Sequence, residues 1–129
     1  MSDVHEELRR LGTATLYEAS GREGIVDARF EQIIPGSRAA GPARTVRCGQ
    51  DDNLMVHAVM ERVEPGDVLV LTMPEPQPVA LVGELLATQA ERRGAAAVLV
   101  DAPDHSCDAA AQRRDGVQRP AAVAQKALF

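Results

Sequence analysis

Two uninterrupted apolar runs constrain this chain most. Residues 68–72 read Val-Leu-Val-Leu-Thr, and residues 95–101 read Ala-Ala-Ala-Val-Leu-Val-Asp. A run without polar alternation fits a strand covered on both faces, the condition of a parallel sheet. Between the runs, Val79 to Arg93 reads as a helix stopped by Gly94. Strand, helix and strand over 68–101 make a βαβ unit, which predicts adjacent parallel strands joined by a right-handed crossover. The fold class expected is therefore α/β.

The flanks give weaker signals. Ser2 or Asp3 can cap a first helix bearing Val4, Leu8 and Leu11 on one face, with Gly12 ending it. Thr13 can cap a second helix, Ala14 to Ser20. Phe30, Ile33 and Ile34 suggest a short strand before the Pro35-Gly36 turn. In Ala43 to Cys48, Arg44, Val46 and Cys48 alternate with Ala43, Thr45 and Arg47, so a half-buried strand is expected. Asp51, Asp52 or Asn53 can cap a third helix ending near Val63, with a broad apolar band from Leu54 onward. Pro65-Gly66-Asp67 reads as a turn. After Gly116 the tail is only weakly apolar.

With 129 residues, one domain over 1–129 is expected, large enough to bury a core without staples. Aromatic residues make up 2% of the chain, so the core must be built from Val, Leu, Ile, Met and Ala. The formal charge of −5 argues against nucleic acid as a partner, because phosphate contacts need clustered cations. The pairs Arg9-Arg10, Arg92-Arg93 and Arg113-Arg114 fall near helix ends, where they favour the C-terminal dipole. No signal peptide and no membrane-length apolar run is visible, so a cytoplasmic protein with free Cys48 and Cys107 is expected. Cys48 reads as a small core residue.

In an α/β sheet, ligands gather at the carboxyl ends of parallel strands. Here one such end leads into Gly83-Glu84-Leu85-Leu86, where backbone N–H groups at a helix start can hold a carboxylate. The other carries Asp101, Asp104, His105 and Asp108, and aspartates can hold a hard divalent cation. A carboxylate pocket beside a metal suits 2-keto acids, since both stabilise an enolate. The bland alternative stands beside this reading: an aspartate after a strand is commonly a turn residue. By the same reasoning His5 and His105 read as surface residues, and His57 as packing or capping within its helix. No P-loop, dinucleotide fingerprint or Ser/His/Asp arrangement is present.

Several segments taken together resemble the RraA-like family, which includes 4-hydroxy-4-methyl-2-oxoglutarate aldolases and regulators of ribonuclease activity. They are Gly12-Thr13-Ala14-Thr15-Leu16-Tyr17-Glu18-Ala19, Ile34-Pro35-Gly36-Ser37-Arg38, and Ala40-Gly41-Pro42-Ala43-Arg44-Thr45-Val46. Asp52-Asn53-Leu54 with His57 follow, then Pro65-Gly66-Asp67-Val68-Leu69-Val70, Gly83-Glu84-Leu85-Leu86-Ala87 and Arg93-Gly94-Ala95. No single piece is specific; their order and spacing over 11–101 are.

The resemblance implies a swivelling β/β/α domain that assembles as a trimer or hexamer, with its site between subunits. It implies that Gly83, Leu85 and Leu86 bind the substrate carboxylate through backbone N–H groups. It places Glu84 near metal-bound water, and makes Mg²⁺ or Mn²⁺ the cofactor. Aligning back from Arg113-Arg114-Asp115-Gly116 puts Asp108 on the family's metal aspartate and Cys107 on its substrate arginine. The loop after Asp101 is about two residues longer than the family's, so Asp104 is the alternative metal ligand. The C-terminal part is expected to be atypical after about residue 102, and shortened. The implied activity is metal-dependent aldol cleavage or oxaloacetate decarboxylation releasing pyruvate. The other implied role is non-catalytic: a regulator that binds a protein partner such as a ribonuclease. A methyltransferase role finds no support, because no glycine-rich loop for a methyl donor follows the first strand.

Overall fold

The computed structural model describes residues 3–26, 32, 34–75, 81–100 and 123–125. The elements run α1 (Asp3–Leu11), α2 (Thr13–Ala19), β1 (Ala43–Arg47), α3 (Leu54–Met60), β2 (Val68–Thr72), α4 (Glu84–Arg92), β3 (Ala97–Val100) and β4 (Val123–Gln125). The strands form one sheet in the order β1-β2-β3-β4, and every pairing is parallel. Val68 pairs with Ala97 and Leu71 with Val100, so the predicted βαβ unit is present with adjacent parallel strands. Among the described residues no helix is long and apolar enough to cross a membrane.

Strand order equals chain order, and α3 and α4 share one face of the sheet. There Val56, Val59 and Met60 of α3 and Leu86 and Ala90 of α4 pack against Val46, Leu69, Leu71, Val98 and Val100. The opposite face is smaller, with Val68, Ala97 and Leu99 beside Ala39, Val70 and Ala96. The core is aliphatic, built mainly from Val and Leu with a few Met and Ala and no aromatic residue among those described. In β1 the alternation is as expected: Val46 is buried while Ala43, Thr45 and Arg47 are exposed. Cys48 packs in the core at 2% exposure.

Several boundaries differ from expectation. Helix α4 begins at Glu84 rather than Val79. Gly83 is extended (φ −106°, ψ −174°), and the buried Leu81 and Val82 lie outside the helix. Its far end is a Schellman turn: the Gly94 N–H bonds the Glu91 carbonyl, the Ala95 N–H bonds the Ala90 carbonyl, and Gly94 has φ 83°. Helix α3 stops at Met60 because Arg62 closes a tighter turn onto the Val59 carbonyl. Its apolar band is narrower than expected, since Leu54 and Met55 are exposed. Asp52 supplies the start, its carboxylate accepting the Leu54 N–H at 2.9 Å. Thr13 is the first residue of α2 rather than its cap, a place taken by Gly12. Of the strand expected around Phe30–Ile34, Ile34 lies in a bend; Phe30 and Ile33 fall outside the described residues. The tail contributes β4, paired to β3.

Candidate functional site at the carboxyl edge of the sheet

Because all four strands are parallel, their carboxyl ends share one edge. Arg47 lies opposite Thr72, Leu71 opposite Val100, and Val100 opposite Gln125. Helix α4 opens on this edge. Gly83 at its N-cap makes no side-chain capping bond, and its carbonyl accepts the Ala87 N–H at 3.0 Å. The N–H groups of the first turn have no partner within a helix by construction. The dipole also favours an anion here.

The four residues expected to serve this end are brought together on one turn. Gly83, Glu84 and Leu85 are exposed, Leu85 to 76%. Leu86 turns its side chain into the core at 4% exposure, which anchors the turn while its backbone stays at the helix start. Glu84 is the acidic residue of the first turn. A Cβ at Gly83 would meet nothing within 4 Å among the described residues, so their packing does not demand glycine there.

The remaining expected residues, Asp104 and Asp108, lie outside the described residues, as do Asp101, His105 and Cys107. Among the described residues no group of three or more His, Cys, Asp or Glu side chains could hold a metal ion. His57 is exposed in the last turn of α3, outside the core. A separate groove of about 610 Å³ lies between α1, α2 and residues 38–41, lined by Leu8, Leu11, Leu16, Tyr17 and Arg38 among others. Of the expected site residues that are described, Gly83, Glu84, Leu85 and Leu86, none lines it.

Two arrangements had no clear signal in the sequence. At the opposite edge, the Asp67 carboxylate accepts from Arg44 Nε and from the Glu64 N–H, the latter at 2.9 Å. Burial works against ionisation of Asp67. The Arg44 hydrogen bond, the Glu64 N–H and the guanidinium charge outweigh it and hold the carboxyl below its usual range. At the carboxyl edge, Gln50 in the loop after β1 bonds the backbone of Glu75 in the loop after β2. A nearby thiol is kept protonated: burial, and then the Asp52 charge, push Cys48 up.

Comparison with known proteins agrees with this architecture. The model of the RraA-like family (Aldolase/RraA) matches residues 2–125. A Halalkalibacterium halodurans protein provisionally described as a 4-hydroxy-4-methyl-2-oxoglutarate aldolase is 27% identical over 99 residues, which is 77% of this chain and 47% of that protein. The structure of Streptomyces coelicolor RraAS2, an unusual member of the RNase ES inhibitor RraA protein family, is similar with a TM-score of 0.64 and 25% identity. That match covers 88% of this chain and 60% of the other. The S-adenosylmethionine:2-dimethylmenaquinone methyltransferase of Geobacillus kaustophilus gives 0.62 and 33%, covering 69% and 55%. The chain thus spans about half the length of the relatives it matches. With a matching family model over nearly its whole length and an α/β fold shared with solved relatives, the chain belongs to the RraA-like family.

Proposed function

We propose that the chain holds the carboxylate of a small 2-keto acid at the first turn of α4. With a divalent cation it acts as a 4-hydroxy-4-methyl-2-oxoglutarate aldolase and oxaloacetate decarboxylase that releases pyruvate. The observation that carries this reading is the N-terminus of α4, exposed at Gly83, Glu84 and Leu85 and with a glycine as its N-cap, opening on the carboxyl edge of a parallel sheet. Glycine at the cap adds no side chain of its own in front of the Leu85 and Leu86 N–H groups. Glu84, one residue away, is the proposed group for moving the proton.

Mg²⁺ or Mn²⁺ is the proposed cofactor; when bound, it polarises the keto group and stabilises the enolate. Its proposed donors are Asp108 or Asp104. β3 supports this by ending at Val100 on the carboxyl edge of the sheet, next to β2, whose chain leads on to Gly83.

One sequence observation favours a second reading, a regulator that binds a protein partner such as a ribonuclease. Cys107 stands where the family's substrate arginine is expected, and a thiol cannot make the charged, bidentate contact of Arg with a carboxylate. That loss costs about 1.5–3 kcal/mol, or about ten- to a hundredfold in affinity.

A coupled pyruvate-release assay on oxaloacetate separates the two. The expected result is release that depends on Mg²⁺ or Mn²⁺, is abolished by chelator and loses its metal dependence in Asp108→Ala. Cys107→Arg should strengthen binding of oxalate, a mimic of the pyruvate enolate, by about ten- to a hundredfold. No release, with oxalate binding unchanged in both variants, sinks the enzyme reading and leaves the regulator.

A further inference from the structure

Gln50 spans from the loop after β1 to the loop after β2. Its Nε2 donates to the Glu75 carbonyl at 2.8 Å, and its Oε1 accepts from the Glu75 N–H at 2.9 Å. A side-chain amide here reproduces the two-way bonding of a backbone ladder. The β1–β2 ladder runs out just before it, where the Cys48 N–H bonds the Thr72 carbonyl at 2.7 Å. Gln50 therefore carries the pairing on to Glu75. Its Nε2 also meets the Asp51 carboxylate at 2.9 Å, so an exposed side chain that gains freedom by staying in water is held at both ends. The loop beneath it is itself fixed: the Asp52 N–H bonds the Gly49 carbonyl, and the Asp52 carboxylate caps α3.

The chain that Gln50 grips is the one that leads to α4. Met73, just before Glu75, is in the core. Leu81 and Val82 return to the same core directly before Gly83. We propose that Gln50 is a positioning residue for the first turn of α4: by fixing the exit of β2 at Glu75 it sets where the Leu85 and Leu86 N–H groups point. Its bearing on substrate rests on the reading of that turn as a carboxylate site.

The test uses Gln50→Ala and Gln50→Glu in the full chain, with two readouts. One is amide hydrogen exchange at Glu75 and at Ala87, whose N–H closes the first turn onto Gly83. The other is calorimetric titration of oxalate in the presence of Mg²⁺. In Gln50→Ala, exchange should rise at both amides relative to wild type, and oxalate binding should weaken by about ten- to a hundredfold.

Gln50→Glu adds a pH signature. A protonated carboxyl can replace the amide atom for atom, its O–H donating to the Glu75 carbonyl and its C=O accepting the N–H. Once ionised it loses the donor and faces the Glu75 carbonyl and the Asp51 carboxylate. Compared with wild type at each pH, this variant should behave like wild type in acid and like Gln50→Ala at neutral pH. Faster exchange at Glu75 alone, with Ala87 unchanged in both variants, overturns the proposal and leaves a local staple. If wild type binds no oxalate, the carboxylate reading fails, and the Ala87 amide by itself decides the positioning role.

Discussion

Gly41 sits where two turns nearly touch. A Cβ built there would lie 1.9 Å from the Gly66 carbonyl oxygen, a backbone atom that cannot swing aside. The approach is locked by the Val68 N–H bonding the Pro42 carbonyl at 2.8 Å. Gly41→Ala must therefore push β1 from β2, at an expected cost of about 1–3 kcal/mol, read as a lowered midpoint in urea unfolding. Asp67, close by, gives an acid-sensitive term. Its carboxyl titrates lower in the folded chain than its unfolded value of about 3.9. The stability it adds is thus present above that value and is lost as pH falls through the folded pKa. Urea midpoints of Asp67→Asn and wild type, measured from neutral pH down to about pH 2, should converge in acid. A constant difference at every pH counts against this account. Neither feature was legible beforehand. The Pro65-Gly66-Asp67 turn was visible as a turn, but nothing local reports that Arg44, on a strand 23 positions earlier, closes over the aspartate.

At the scale of elements, what could be read from sequence followed from burial on two sides. β2 and β3 were visible because a strand covered on both faces must be apolar throughout, and no other local force produces that pattern. The start of α4 was hidden for the same reason. Leu81 and Val82 are buried in the chain just before the helix, so their hydrophobicity continues the helical stripe without belonging to it. Gly83 was the true boundary signal. The candidate turn Gly83–Leu86 was legible through resemblance, whereas Gln50 was not, because a glutamine in a loop carries no periodicity. Of the paired arginines near helix ends, Arg9-Arg10 in the last turn of α1 behaves as ordinary surface charge; Arg113-Arg114 lies outside the described residues. Arg9 and Arg10 each reach an acid three residues earlier, at 2.5 and 2.6 Å, in exposed pairs of the kind that add little stability.

For the whole molecule, the exposed apolar side chains matter most. Val4 and Leu11 of α1 are 64% and 39% exposed, and Ile25, Val26, Leu54, Met55 and Leu85 are also open to solvent. We expect a trimer or a dimer of trimers, the assembly that the family resemblance implies. Light scattering giving a monomer across micromolar concentrations would count against it.

The sheet's simple order has a consequence for how the molecule is made. Among the described strands each lies beside the one synthesised just before it, and none has to be inserted between two that are already paired. A growing chain can therefore dock β2 with α3 onto β1, and then β3 with α4 onto β2, as each leaves the ribosome. Each of these additions closes only a short stretch of chain, and brief closures keep the entropic barrier low. Synthesis and folding can proceed in the same direction along one growing edge.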